Sequence, residues 1–208
     1  MEALVRISGI AAPMIRINID TDQIIPALYL GGTDAKGYGK HLFAGWRFLA
    51  DGSANPEFIL NREPYKRAKI LLADRNFGCG SSRERAPKAL REFGFRAVIA
   101  PSFGGIFYNN CFRNGIIPVE LPIEAVRAIV EEVEAAKGEA QVTVDVEART
   151  VTSTKGKQYA FEAPEALRQM LLHGVDEIAL TLSRLAEIEL YRAGDRQHRP
   201  WAYLPEGS

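Results

Sequence analysis

Three short apolar runs constrain this chain more than any other feature: residues 68–73 (AKILLA), 96–100 (RAVIA) and 116–121 (IIPVEL). They are shorter than a typical buried helix and carry little polar alternation, so they read as strands covered on both faces. The stretches between them read as helices. One runs to about Glu92 and stops at Gly94; the other runs from Gly104 or Gly105 to about Arg113 and is closed by Gly115. Glycine suits both ends because it accepts the left-handed conformation found just past a helix. Two successive strand–helix–strand units imply parallel pairing. The expected fold is therefore α/β, with a partly parallel central sheet flanked by helices.

The flanks carry weaker signals. Residues 14–19 read as an opening strand that exits through the polar cluster Asn18-Ile19-Asp20-Thr21-Asp22. Residues 31–40 hold four glycines and read as a mobile loop, and 45–65 as irregular surface chain with some helix. Pro122 stands at a first helical position, and Ile123, Val126, Ile129, Val130 and Val133 recur at helical spacing up to Gly138. Val142, Val144 and Val146 alternate as in a half-buried strand. Lys155-Gly156 reads as a turn between short strands at 150–153 and 158–161. Helices at 164–173 and 180–192 follow. Residues 1–192 thus form a single expected domain, and 193–208 a polar tail, disordered or packed on a partner.

Composition narrows the function classes. With 208 residues and 47% apolar side chains the chain can build a sizeable core. Lys+Arg and Asp+Glu both number 26, so no basic excess points to nucleic acid or to a membrane surface. No apolar run approaches the ~18 residues of a membrane span, and the N-terminus lacks a signal-peptide pattern. Cys79 and Cys111 are far apart without a CxxC, and His41, His173 and His198 are isolated. Neither a disulfide scaffold nor a metal centre is indicated, and a reducing, cytoplasmic compartment is expected.

The stretch that carries chemistry is Asn76-Phe77-Gly78-Cys79-Gly80-Ser81-Ser82-Arg83-Glu84. A buried strand delivers the chain to a glycine turn, where positive φ and close approach to the backbone are allowed. A helix is expected to begin at once, so free N–H groups and the positive end of its dipole face the turn. Arg83 can grip a carboxylate with two parallel hydrogen bonds. This is the makeup of an anion site, with a dicarboxylate or phosphate as natural ligand. The plainer reading is a helix capped by Ser81 or Ser82. The dinucleotide pattern fails because Arg83 occupies its third glycine, and no GK[ST] follows. The hydrolase elbow GxSxG fails at Arg83 as well.

These residues, followed by Ala86-Pro87 and Ala89-Leu90, resemble the small-subunit family of 3-isopropylmalate dehydratase, within the aconitase superfamily. The likeness extends upstream to Asn18–Pro26, His41-Leu42-Phe43 and Trp46-Arg47-Phe48. Downstream it takes in Ala100-Pro101-Ser102-Phe103, Ile106–Asn110, Gly174-Val175-Asp176 and Leu180-Thr181-Leu182. The resemblance implies a swivelling β/β/α domain like the C-terminal domain of aconitase. It also implies a separate large subunit carrying a four-iron, four-sulfur cluster, with no cofactor bound by this chain. By motif position Ser81 is the implied base, Ser82 and Arg83 hold the dicarboxylate substrate, and Asp22 matches an active-site aspartate. Dehydration needs a base for a carbon-bound proton and a Lewis acid for the hydroxyl.

The loop after Ile25-Pro26 is implied to sort substrates. Aconitase has an arginine there for a third carboxylate, whereas residues 27–40 contain none. Leu28 and Leu30 suit an apolar isopropyl group, although each serves equally well as a core residue. The chain departs from the family pattern in carrying Arg85 where most relatives have His, and Lys88 where Trp is common. The reaction implied is the interconversion of 2- and 3-isopropylmalate in leucine biosynthesis. Two alternatives remain open on sequence: a paralogue acting on another alkylmalate or a homoaconitate, and a non-catalytic anion-binding assembly module.

Overall fold

The computed structural model describes residues 1–30, 37–81 and 83–203, the side chain of Leu30 excepted. The chain divides into two compact units, residues 1–174 and 175–208.

The first unit is built on two four-stranded sheets. In the parallel sheet, β2 (Ala11–Met14), β3 (Ile70–Ala73), β4 (Ala97–Ala100) and β5 (Ile117–Glu120) lie side by side in sequence order. The antiparallel sheet has the order β1-β6-β7-β8, from β1 (Arg6–Gly9), β6 (Val142–Asp145), β7 (Thr150–Thr152) and β8 (Gln158–Ala160). The partly parallel sheet expected from sequence thus resolves into one wholly parallel sheet and one antiparallel sheet. The apolar runs at β3, β4 and β5 are strands as expected. The opening strand lies earlier than expected, at Ala11–Met14, and residues 15–19 form its exit. Pro13 and Pro118 fall on β2 and β5, the two edge strands, where a missing N–H breaks no ladder on the open side.

Strand alternation sends successive residues to opposite faces. Ala12, Met14, Leu71, Ala73, Val98 and Ala100 join one apolar cluster. Against them pack α1 (Thr21–Ile24), α3 (Arg85–Phe93) and α4 (Gly105–Arg113), through Ile24, Ala86, Leu90, Phe107 and Cys111. The residues around α2 (Ala44–Arg47) contribute Phe43, Phe58 and Leu60. These are buried, so part of the stretch expected to be surface chain is core. On the other face Ala11, Ile70, Leu72, Ala97 and Ile99 meet α5 (Ile123–Ala135) and Val142, Val144 and Val151 of the antiparallel sheet. The first unit closes with α6 (Glu165–His173), whose Leu171 accepts a hydrogen bond from the Leu4 amide at 2.8 Å.

The expected loop at 31–40 falls partly outside the described residues. Its end does not read as free loop: Tyr38 and Gly39 are buried in a 3-10 turn, Tyr38–His41. A Cβ at Gly39 would stand 2.7 Å from the Phe93 amide nitrogen. Glycine therefore lets this turn reach the end of α3, where Glu92 accepts the Gly39 N–H at 2.9 Å.

The second unit holds α7 (Glu177–Leu182), capped by Asp176, and α8 (Leu185–His198), followed by the 3-10 turn Pro200–Ala202. The polar tail expected from 193 begins inside α8. Asp195 fastens it there, accepting from Arg199 at 2.7 Å and from the Tyr203 hydroxyl at 2.8 Å.

Candidate active site

Loops leaving the carboxyl ends of β2, β3 and β4 are hydrogen-bonded to one another, at the edge of an open parallel sheet where ligands bind. The middle loop begins at Asn76. On one side its Phe77 amide donates to the Ser102 carbonyl at 3.1 Å, and Gly104 donates back to Phe77 at 2.9 Å. On the other, Gly78 donates to Ile19 at 2.7 Å and Thr21 donates to Cys79 at 2.9 Å. Asn76 and Asn18 both take positive φ, which asparagine tolerates. Their side chains meet, Nδ2 of Asn76 donating to Oδ1 of Asn18 at 2.9 Å.

Buried Phe77 holds this loop from below, edge-on to Phe107 with ring centroids 5.4 Å apart. Gly78, at φ +71°, lies so close to the same ring that a Cβ would stand 2.2 Å from it. Gly80 has φ +92° but only ordinary contacts. Both glycines therefore serve the expected turn, one for close approach and one for backbone conformation.

The turn ends on Ser81, whose side chain is exposed and whose carbonyl accepts from the buried Thr21 hydroxyl at 2.9 Å. Thr21 opens α1, and Asp20 fixes that helix with a capping box: its carboxylate accepts from the Gln23 amide at 2.7 Å, and Gln23 Oε1 accepts from the Asp20 amide at 2.9 Å. This places Asp22 in the first turn of α1. Arg83 forms a two-pronged pair with it, Nη1 donating to Oδ1 and Nη2 to Oδ2, the latter at 2.7 Å. The Arg83 side chain is only 18% exposed and that of Asp22 52%, so the pair has a buried side and an open one.

Of the residues expected at the site, Asp22 and Arg83 are in direct contact, and Ser81 is tied to α1 through Thr21. Ser82 and the Leu30 side chain lie outside the described residues. Leu28, on the 3-10 turn Ala27–Leu30, is 83% exposed and is not a core residue. Its neighbour Tyr29 stacks on His41 with centroids 3.9 Å apart. Thr21 and Asp20 went unassigned in the sequence. The Asp20–Gln23 spacing was a readable cap signal, whereas nothing local marks Thr21, whose partner is 60 residues away.

One expectation fails. Ser81 does not cap α3, whose N-cap position is Glu84 with no side-chain cap bond. Two of its first amides are not open to an anion, because Ala86 donates to the Arg83 carbonyl at 3.1 Å and Pro87 has no N–H. Positive charge at this junction comes from side chains instead. Arg85 opens α3 and lies over the Tyr38 ring at 5.8 Å.

Burial pushes the Cys111 thiol well up, and burial with the nearby Asp20 raises that of Cys79. Among the described residues no group of three or more His, Cys, Asp or Glu could hold a metal ion. Nor is any helix among them long and apolar enough to cross a membrane.

Residues 1–124 match the family model of the aconitase C-terminal domain, and 127–164 match that of LeuD_N. The 3-isopropylmalate dehydratase small subunit of Cupriavidus necator is 50% identical over 206 residues, covering 98% of this chain and 99% of the relative. That of Bacillus licheniformis is 49% identical over 201 residues, covering 97% and 98%. The chain belongs to the 3-isopropylmalate dehydratase small-subunit family. A solved 3-isopropylmalate dehydratase structure from Methanocaldococcus jannaschii shares the fold, with a TM-score of 0.61 and 29% identity over 91% of this chain and 99% of that one. The aconitase-type match spans β1 to β5 and hence all three loops of the site. The β/β/α architecture implied by the resemblance is the one found.

Proposed function

We propose that this chain is the small subunit of a 3-isopropylmalate dehydratase, a hydro-lyase of leucine biosynthesis, active in the cytoplasm with a large subunit. The reading is carried by one observation: an exposed serine on a rigid glycine turn, beside an Arg83–Asp22 pair, in a chain close to half identical to small subunits of that name over nearly its full length. The two free cysteines suit a reducing compartment.

In this reading Ser81 removes the carbon-bound proton of the alkylmalate and returns it on hydration. Thr21 holds the Ser81 backbone in the turn, so the main chain that carries the hydroxyl has little freedom to lose on binding substrate. Arg83 binds a substrate carboxylate, and Asp22 holds the guanidinium in place until substrate arrives. Ser82 adds a hydroxyl to the same carboxylate. Leu28 and Leu30 receive the isopropyl group. A cluster carried by the large subunit supplies, when bound, the Lewis acid for the departing hydroxyl.

The test is reconstitution with a cluster-loaded large subunit, following the absorbance of the unsaturated dicarboxylate. Ser81→Ala is expected to lower turnover by roughly 10²–10⁴-fold, the usual contribution of a positioned base, while assembly persists. Turnover within a few-fold of the parent would remove Ser81 from this role.

A further inference from the structure

A second cluster of charge lies at the opposite edge of the parallel sheet. A cavity of about 300 Å³ is lined there by the N-terminal segment, including Glu2 and Arg6, by Lys69 and Arg96, and by Arg91 in the last turn of α3. Lys69 and Arg96 stand just before β3 and β4. The loops of the active site leave the other ends of the same strands. Such a volume is at the small end of the range for ligand pockets.

Four cations line the cavity, and Glu2 is the only carboxylate among its described lining residues. Asp145 stands opposite Arg6 in the β1–β6 register. Glu2 reaches Arg91 through Nη2 at 3.1 Å but is itself largely exposed. Arg96 is fixed by its Nη1, which donates to the Arg91 and Phe95 carbonyls at 3.0 Å each. The Nη1 of Arg91 is buried and has no hydrogen-bond partner. Buried donors in folded proteins are almost always satisfied by protein, water or ligand. Water can accept this hydrogen bond, but it does not offset the charge of Lys69, Arg91 and Arg96 gathered around one small cavity. An oxyanion does both.

We propose that this cavity binds a small oxyanion, phosphate or carboxylate in type, with Arg91 Nη1 as a direct donor and Lys69 and Arg96 completing the charge. Glu2 is its internal competitor, since it occupies the neighbouring edge of the same guanidinium. The site stands apart from the dehydratase reading and survives if that reading fails.

Isothermal titration of the full chain with inorganic phosphate, and separately with malonate, at ionic strength held constant with sodium chloride, tests this. Saturable binding at one ion per chain is expected, together with a rise in melting temperature. Phosphate the tighter marks a phosphate-type ligand, and malonate the tighter a carboxylate. Arg91→Met should weaken binding at least tenfold and the exposed Lys69→Met several-fold, whereas Glu2→Gln should tighten it. Arg83→Met should leave it unchanged. The proposal is overturned by a response no stronger than that to chloride, which would mean an adventitious ion only, by saturable binding indifferent to both Lys69→Met and Glu2→Gln, or by loss of binding in Arg83→Met. The Lys69 and Glu2 variants keep the core intact and decide the matter should Arg91→Met fail to fold.

Discussion

At Gly78 the backbone sits at φ +71° and the Phe107 ring occupies the space where a side chain would start. Gly78→Ala meets both obstacles and should destabilise the chain by about 2–5 kcal/mol, combining left-handed strain with overpacking. Gly80→Ala keeps only the strain, because its nearest neighbour is Asp20 Cβ at 3.5 Å, and should be clearly milder in the same urea titration. Equal losses would mean that the ring yields easily. His41 supports a prediction of another kind. Burial first, and Lys40 second, lower its pKa, while its ring stacks on Tyr29. The folded chain therefore resists protonating it, and the unfolded chain binds more protons as pH falls through the reference imidazole value of about 6.5. The stability tied to His41 is full above that value and is lost below it, toward the lower folded pKa. Carboxylates such as Glu165, held down by Arg168 and then Gln169, give way in the same direction, but in the acid range below their ordinary value of 4.5. The melting temperature should thus fall between about pH 7.5 and about pH 5.5, on either side of the imidazole midpoint. His41→Phe, which keeps an aromatic ring against Tyr29, should flatten that fall. An unchanged slope would assign it to other groups.

Among the elements, α1 is the shortest that the site depends on. Four residues make no stable helix alone, so its capping box decides whether Asp22 is held toward Arg83. Asp20→Ala should reduce stability by about 0.5–2 kcal/mol, the usual range for a lost cap. It should also raise KM for the alkylmalate in the reconstituted enzyme more than it lowers kcat, since it loosens the grip on substrate rather than the base. A drop in kcat alone would separate Asp20 from Arg83. The Asp-x-x-Gln spacing of this cap was readable in the sequence. So were β3, β4 and β5, because strands buried on both faces are written as continuous apolar runs. The start of α3 is not legible: Ser81 and Ser82 look like caps in the sequence, yet the N-cap position falls to Glu84, which makes no side-chain cap bond. The four-residue β1 was missed because Arg6–Gly9 is short, partly polar and ends in glycine. Its pairing with β6 is settled more than 130 residues away. Ser81 and Arg83 stood out because they lie on one continuous stretch, whereas Thr21 acquires its role only when two loops are brought together.

At the scale of the whole molecule, both apolar clusters and all eight strands among the described residues fall within residues 1–174. The unit 175–208 has no buried residue in either α7 or α8. Its Ile178, Leu182, Leu185, Leu190, Tyr191 and Trp201 are all exposed. Single exposed apolar residues are ordinary on a protein surface, but six within one short unit favour self-association and binding of apolar dyes. Stability, by contrast, follows the area buried in the core. A chain cut after Gly174 should therefore unfold in one cooperative transition with a midpoint close to that of the full chain, while binding less of an apolar dye and sedimenting more uniformly as a monomer. The cut preserves the hydrogen bond from the Met1 amino group to the Gly174 carbonyl, 2.8 Å long, and that from the Leu4 amide to Leu171, so the edge of the fold stays closed. Loss of the cooperative transition in the shortened chain would show that residues 175–208 belong to the folding core after all, and that exposure along α7 and α8 understates their contribution.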